Sequence, residues 1–562
     1  MAFDDEKTID AGAEPGSYTK SETVTNPNIV SDTDSTQLEK QVEVQNNDDS
    51  QYPHGAKLVL LSCAALAAVF LVALDQTIVG TAIPKITDEF HGLEDVSWYA
   101  AAYFMTFGAA QTSAGKFYKY FDLKWSFLGS MLIFEVGSLI CGVAPNSKAL
   151  VVGRAIAGLG GAGLSVGATS IISFAVPPVK RPLMMGFFGM TYCLSAVLGP
   201  LVGGAFTDRV TWRWCFYINL PIGGVAALAI FFFFSLPAAA VPPKIPLKDK
   251  LLHLDPVGIA LAMGSITCFI LAMQYGGSSH AWGSSVVVGL IVGFVLIIAV
   301  LVCWEIWLGD YAMMLPRLYK QRSLWSASAF QFFFMGSYVV LLYYLPIYFQ
   351  SIKGASPIRS GVDNLPLVLS AAVFTLAGGI VVMKTGRAQQ VMMGGSALTT
   401  VGFGLIYTFD IDTSQAKWVG YQFFTGTVLA FSIMHGMSVV QAYVSAEDLA
   451  ATTANLLFWQ TVGGAFSTAA GQSAFVNRLL AKLPELAPDV EPTTVIFTGA
   501  SELRNVFSAD QLPGVLQAYM VGVKAAYAVG IAFAGVAFLF SFTIPWRKLP
   551  THETGEAPMA MA

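Results

Sequence analysis

Apolar runs of about 20 residues recur along this chain, separated by short polar breaks. One such run, wound as a helix, crosses the hydrocarbon of a bilayer. Lipid offers no partner for backbone N–H and C=O groups, so each run has to satisfy its own as a helix. Fourteen spans are expected, at about 57–80, 96–115, 125–144, 149–173, 182–206, 214–236, 256–276, 285–307, 324–350, 361–383, 389–409, 417–440, 451–475 and 518–544. The pattern therefore predicts an all-α membrane protein. The loop at 476–517 holds Pro484, Pro488, Pro492 and Pro513 among short amphipathic pieces. Residues 1–54 are polar, nearly free of aromatics, and expected to be disordered.

An even number of spans puts both termini on one side. Placed in the cytosol, they give sixteen Lys and Arg beside the inner span ends, among them Lys116, Lys119, Lys180, Arg181, Arg317 and Lys384. The short outer loops then hold seven, and this bias favours cytosolic termini. The N-terminus lacks the pattern of a cleaved signal peptide, so the first span is expected to direct insertion.

Composition agrees with this picture. Of 562 residues, 55% are hydrophobic and 12% charged, about half the charge of an average soluble protein at ~25%. The net charge of −5 conceals an imbalance: residues 1–54 hold 12 acidic and 3 basic side chains, a net −9 that leaves +4 elsewhere. No nucleic-acid partner is implied. The six cysteines lie in or beside apolar runs without a CxxC pair, which is no disulfide framework. The six histidines are scattered, so neither a metal site nor a clustered intramembrane active site is expected.

Charged residues inside the apolar runs are the candidates for chemistry. A charge near mid-membrane costs about 2.5–3.5 kcal/mol on insertion scales, so it should face a cavity or a partner. Asp75 lies within the first run and either does this or caps its end near Thr77. Glu135 lies in the middle of the third. It is suited to reversible protonation, or else is locked to a neighbouring backbone or hydroxyl group. Arg154 opens the fourth run as a fixed charge, beside a carboxylate or snorkelling to the membrane edge. The run Gly158 to Gly163 spells GxGxxG, but it follows an arginine within a span, where a dinucleotide fold needs a strand before it. In the C-terminal half, Gln331, Tyr343, Tyr344, His435 and Gln460 punctuate apolar helices, as do Gln350, Gln441 and Trp459. Aromatic and amide side chains suit a cavity for large, mostly apolar solutes. His435 is equally consistent with a histidine satisfied within the bundle. Lys524 is expected to snorkel or to face the bundle.

The stretch Gly186 to Gly224 is apolar yet rich in glycine, with prolines at 200 and 221. In a membrane, small residues let helix backbones approach closely. Gly199 and Gly203 form a GxxxG step with Pro200 inside it, and with Gly204 they are expected to line a close helix contact. GPLVGG here, followed by WRWCFYINLPIGG at Trp212 to Gly224, resembles the fifth and sixth spans of the 14-span drug:proton antiporter branch of the major facilitator superfamily. LDQTIVGTAIP from Leu74 and the Arg154 to Gly163 run resemble its first- and fourth-span motifs, with Ile83 in place of a leucine. Fungal toxin and multidrug efflux pumps lie within this branch.

The resemblance implies a major facilitator fold, with two six-helix bundles at 55–240 and 311–546 and an inserted helix pair at 241–310. The disordered tail at 1–54, an outer loop at 476–517 and a cytosolic tail at 547–562 complete the layout. It further implies proton-coupled export of amphipathic toxins, metabolites or drugs, with Asp75, Glu135 and Arg154 in proton and substrate coupling. The expected setting is the plasma membrane or the vacuole, as a monomer, with the proton gradient as driving force and no cofactor. A proton-coupled importer, such as a siderophore symporter, shares the same plan. One departure stands out. Lys119 replaces the aspartate, and Asp122 the second glycine, of the family's loop after span 2; Met383 stands at the aspartate position of the second-half loop. The family's charge contact at the inner gate is therefore not implied. The loops opened by Gly115 and Gly379 are expected at equivalent places in the two halves.

Overall fold

The computed structural model describes residues 53, 55–90, 96–234 and 242–549, less 244, 443, 446, 499, 501 and 547. The tail expected at 1–54 thus lies outside the described residues except at 53, as does most of 547–562. Fourteen long helical segments carry the described chain. They are α1 (Gly55–Phe90), α2 (Val96–Tyr120), α3 (Leu123–Gly142), α4 (Ser147–Ala175), α5 (Arg181–Arg209), α6 (Trp214–Phe233, interrupted at Ile218) and α7 (Pro256–Tyr275). They continue as α8 (Ser285–Leu308), α9 (Arg322–Ser351), α10 (Leu365–Thr385), α11 (Ala388–Tyr407), α12 (Gln415–Ala442, interrupted at 431–434), α13 (Leu449–Leu486) and α14 (Leu512–Ser541).

Eleven of these are long and apolar enough to cross a membrane. The other three, α2, α11 and α13, fall on expected spans but carry many polar side chains, and those side chains point inward. Gln111, Thr112 and Ser113 of α2, Gln389 and Thr399 of α11, and Thr452, Thr453 and Asn455 of α13 are all buried. Their surroundings are protein, so they need hydrogen-bonding groups more than hydropathy. The opposite extreme is α8, which exposes Val292, Val295, Leu296, Val302, Ile306 and Trp307. A continuous apolar face of that kind belongs against lipid.

The first six helices pack mainly on one another: α1 on α4, α5 and α6, α2 on α4, and α3 on α4 and α6. Among the last six, α9, α13 and α14 pack together, α10 lies on α12, and α11 lies on α12 and α14. The two sets meet where α5 crosses α10 and where α2 crosses α13. The pair α7 and α8 joins this second seam, with α7 touching both α2 and α13. Glycines mark the tightest crossings. A Cβ on Gly160 would press on the Phe134 backbone, and one on Gly115 would meet Ala450, Ala451 and Ala454.

Several expected boundaries move. Gly115 and Gly379 do not open loops; each lies inside a helix, since α2 runs to Tyr120 and α10 to Thr385. Lys116 reads as a loop residue in sequence, but it is buried on α2. The reversal between α2 and α3 needs only Phe121 and Asp122, because the Asp122 carboxylate accepts from Lys124 N (2.9 Å) and Trp125 N (3.1 Å) and caps α3. After α10 the chain turns at Gly386 in a left-handed conformation, φ 66°. α13 continues through Pro484 to Leu486, so the loop begins later than 476 and holds two short helices, Pro492–Phe497 and Leu503–Val506.

The glycine step of α5 also resolves unevenly. A Cβ on Gly199 would overlap the Thr77 side chain of α1. Gly203 is buried, and its carbonyl accepts from the Thr207 hydroxyl (2.6 Å) and the Cys215 thiol (3.9 Å). Gly204 departs from the expectation: it is half-buried, with only Ile358 Cγ1 nearby at 3.6 Å, an ordinary contact. One residue beyond the i, i+4 pair, it has turned off the shared face. Pro200 is absorbed within the helix. Gly199→Val should therefore lower the thermal midpoint of the purified protein by an overpacking cost of about 1–3 kcal/mol, while Gly204→Val leaves it nearly unchanged. Equal losses from the two variants would remove the Thr77 contact as the reason for glycine at 199.

Candidate functional site

Asp75 and Arg154 meet inside the first bundle, from α1 and α4. Both are fully enclosed, at 0% and 1% exposed. Arg154 Nη1 lies 2.5 Å from Asp75 Oδ2, and Nε donates to the Tyr99 carbonyl at 2.8 Å. The guanidinium carbon sits 4.4 Å from the centre of the Tyr103 ring. On the other side, Asn219 of α6 donates to Asp75 Oδ1 (3.4 Å) and to Ser138 Oγ of α3 (3.0 Å). Five helices thus meet at one ion pair: α1 and α4 carry it, α2 and α6 contact it, and α3 is joined through Asn219. Small residues on α4 let the ring come close, since a Cβ on Gly161 would stand 2.7 Å from the Tyr103 hydroxyl. The arrangement excludes both the end-capping role for Asp75 and the snorkelling role for Arg154.

Glu135 lies one helical turn before Ser138 on the same face of α3. Its carboxyl group rests on Gly223 of α6, where any Cβ would collide with it, and beside Leu71 of α1. Both carboxyl oxygens are buried without a hydrogen-bond partner among the described residues. A carboxyl group with no bonding partner, next to an ionised pair, is placed to take up and release a proton. The structure therefore gathers all three sequence candidates around α1, α3 and α4. It adds Asn219, Ser138, Tyr99 and Tyr103, which sequence reasoning missed. The signal for Asn219 was its position as the lone amide in FYINLPIGG.

The C-terminal candidates are mostly not exposed to a cavity. Gln331 is fully buried, with its amide donating to the Ile433 carbonyl at 3.3 Å. The Tyr344 hydroxyl donates to Gln472 Oε1 at 3.0 Å, and its ring packs on Phe475. His435 is buried against Gly378, and Gln460 is buried in α13. All four lie within helix contacts, yet only Tyr344 and the Gln331 amide nitrogen are bonded there: both ring nitrogens of His435, Gln460 Nε2 and Gln331 Oε1 are buried without a partner among the described residues. Tyr343 alone of the five keeps a broadly accessible ring, 56% exposed. Lys524 pairs with the exposed Asp410 beyond the end of α11, at 2.9 Å.

A second charge cluster closes the end of the bundle that carries the α2–α3 turn. Lys119 Nζ lies 2.9 Å from Asp448 and 3.0 Å from Glu447, ahead of α13. Arg317, between α8 and α9, makes two bonds to Asp448, at 2.9 and 2.8 Å. Burial pushes the Asp448 carboxyl up, but its bonds to Arg317 and Lys119 outweigh that, and it sits below the usual aspartate range. The motif departure at Lys119 thus carries a charge contact of its own.

A family model described as Major Facilitator Superfamily matches residues 65–468. The chain belongs to the Major Facilitator Superfamily. It is a membrane transporter and not an enzyme. The chain is similar to the MFS-type transporter thnB of Trichoderma harzianum, 57% identical over 89% of this chain and 86% of the relative. It also resembles a probable efflux pump gsfJ of Penicillium aethiopicum, 50% identical over 91% and 92%. Its fold matches that of the human organic anion transporter TETRAN, with a TM-score of 0.57 at 13% identity, over 88% of this chain and 100% of that one. Within this superfamily fold, the Asp75–Arg154 pair lies wholly in the first bundle, while Lys119 and Asp448 join opposite halves.

Two outcomes follow from these charges. Asp75→Asn leaves Arg154 buried without a counter-charge, and breaking such a pair costs about 3–5 kcal/mol. The thermal midpoint should fall, and Asp75→Asn combined with Arg154→Met should recover most of the loss; a double variant no better than the single would show that the pair is not the source. For Asp448 the folded-state value is depressed. Its contribution is then full above the ordinary aspartate value of about 3.9 and is lost as pH falls through the folded value. The midpoint gap between wild type and Asp448→Asn should narrow on acidification below that range, and a gap that widens there contradicts the assignment.

Proposed function

We propose that the chain is a proton-coupled exporter of amphipathic small molecules, in the class of toxins, secondary metabolites or drugs. The observation that carries the reading is the unpartnered, buried carboxyl group of Glu135 beside the Asp75–Arg154 pair. Such a group can change its charge inside the membrane, and the pair can answer that change. The relatives named as transporters and efflux pumps support the outward direction.

In this reading the termini and the α2–α3 turn face the cytosol, in line with the distribution of Lys and Arg. The Lys119–Asp448–Arg317 cluster then closes the cytosolic end. Two helix bundles rocking about a central site would expose it to one side and then the other. Glu135 takes up a proton when the site faces outward and gives it up when the site faces inward. Arg154, which cannot deprotonate, stays paired with Asp75 as a fixed charge. The proton gradient is the only driving force required, and the chain works as a monomer in the plasma membrane.

The test uses inside-out vesicles with an acidic lumen, a panel of toxic amphipathic compounds and a protonophore. Wild-type protein should accumulate substrate in the lumen, and the protonophore should abolish the accumulation. Glu135→Gln should still bind substrate but fall to the level seen with the protonophore. Accumulation in Glu135→Gln equal to wild type would rule out its coupling role, and movement only out of the lumen would make the protein an importer.

A further inference from the structure

A second buried cluster of titratable groups lies well apart from Asp75, where α7 and α8 meet α2. Asp255 caps the start of α7 in a left-handed conformation, φ 48°. Its Oδ1 accepts from Gly258 N (2.8 Å) and Trp304 Nε1 (2.9 Å), and its Oδ2 accepts from Met313 N (3.1 Å). Three N–H donors to one carboxylate fix it in place. Glu305, near the end of α8, adjoins this site, since Trp304 and Met313 bond to Asp255 while the next backbone amide, Met314 N, bonds to Glu305. Its Oε2 accepts from Met314 N at 3.0 Å, while its Oε1 is buried and has no partner among the described residues. Asp255 is 1% and Glu305 6% exposed.

The groups facing this pair come from each neighbouring element. Lys116 of α2 is 1% exposed, donates to the Asp310 carbonyl at 2.9 Å, and acts on both carboxyls. Lys119 stands farther along α2, and Asp310 follows α8. His253, just before α7, lies between Tyr120 and Tyr311 in tilted ring contacts, with ring centres 4.2 Å apart on each side. Asp255 and Glu305 bond to the consecutive Met313 and Met314 amides, so the two buried carboxyl groups stand side by side. Two adjacent buried carboxylates cannot both ionise without a large penalty.

We propose that Glu305 and Asp255 form a second proton-binding site, shared between the inserted helix pair and α2, with the unpartnered Oε1 of Glu305 as the atom that binds the proton. Proton binding converts the Glu305 carboxylate to a carboxylic acid, and no other bond changes. Protonated, the pair presents one negative charge to Lys116; deprotonated, it presents two. The site thus sets how firmly α2 is tied to the inserted pair, and it is independent of the Glu135 coupling reading.

The test is infrared spectroscopy of purified protein carrying Asp75→Asn and Glu135→Gln, so that the first site contributes nothing. A carboxylic-acid carbonyl band that shifts in D2O should persist at neutral pH. Adding Glu305→Gln should abolish it, and adding Lys116→Met to the intact pair should keep it to higher pH. No such band, a band unaffected by Glu305→Gln, or a pH midpoint unmoved by Lys116→Met would each overturn the proposal. Because transport is not measured, these outcomes are independent of whether Glu135 couples efflux.

Discussion

The buried Asp75–Arg154 ion pair is the interaction that the first bundle depends on. Two charges taken from water are stable only when geometry is close and the remaining donors and acceptors are satisfied. Here that requirement reaches into five helices: a carbonyl and a ring from α2, an amide from α6 and, through it, a hydroxyl from α3. The small residues follow from the same demand. The site closes only if α4 can lie against α2 and α3, so glycines stand where side chains would hold them apart. A motif that reads as simple packing in sequence is thus a condition for satisfying a charge.

The second constraint acts on α2. This helix carries Lys116 and Lys119 one turn apart, and each engages a different partner. Lys119 reaches across to the acids before α13, while Lys116 turns to the loop that follows α8. One helix is therefore held from the opposite half and from the inserted pair at the same end. The inserted pair is not a passive addition at the lipid edge: α8 faces lipid with its apolar surface, yet places Glu305 inward at its last turns.

What could be read from sequence divides along physical lines. Span number and rough position were legible because hydropathy is a property of the segment itself. Asp75, Glu135 and Arg154 were legible because a charge in an apolar run has few inexpensive explanations. Asn219 and Ser138 were not, since a lone amide or hydroxyl in a span is common, and only three-dimensional neighbours reveal its task. The amides and aromatics of the C-terminal half divide for the same reason: Gln331 and Tyr344 bond to neighbouring helices, while both His435 nitrogens and Gln460 Nε2 are buried without a partner among the described residues. The boundary errors at Gly115 and Gly379 came from reading lysine and glycine as signs of a loop, where Lys116 is in fact buried in α2.

The departure at Lys119 shows how a charge contact can survive the loss of a familiar residue. A cation at that position cannot serve an aspartate's partners, so the acid must come from elsewhere. It comes from Asp448, just ahead of α13, and Arg317 supplies a second cation to the same carboxylate. With two cations on one acid, and Glu447 and Asp310 at the margins, the near end is closed by a cluster of nearly balanced charge. Its hold depends on Asp448 more than on either cation, because removing the shared acid leaves both without their common partner. The sign of the residue in the motif is therefore less constrained than the presence, across the seam, of its opposite.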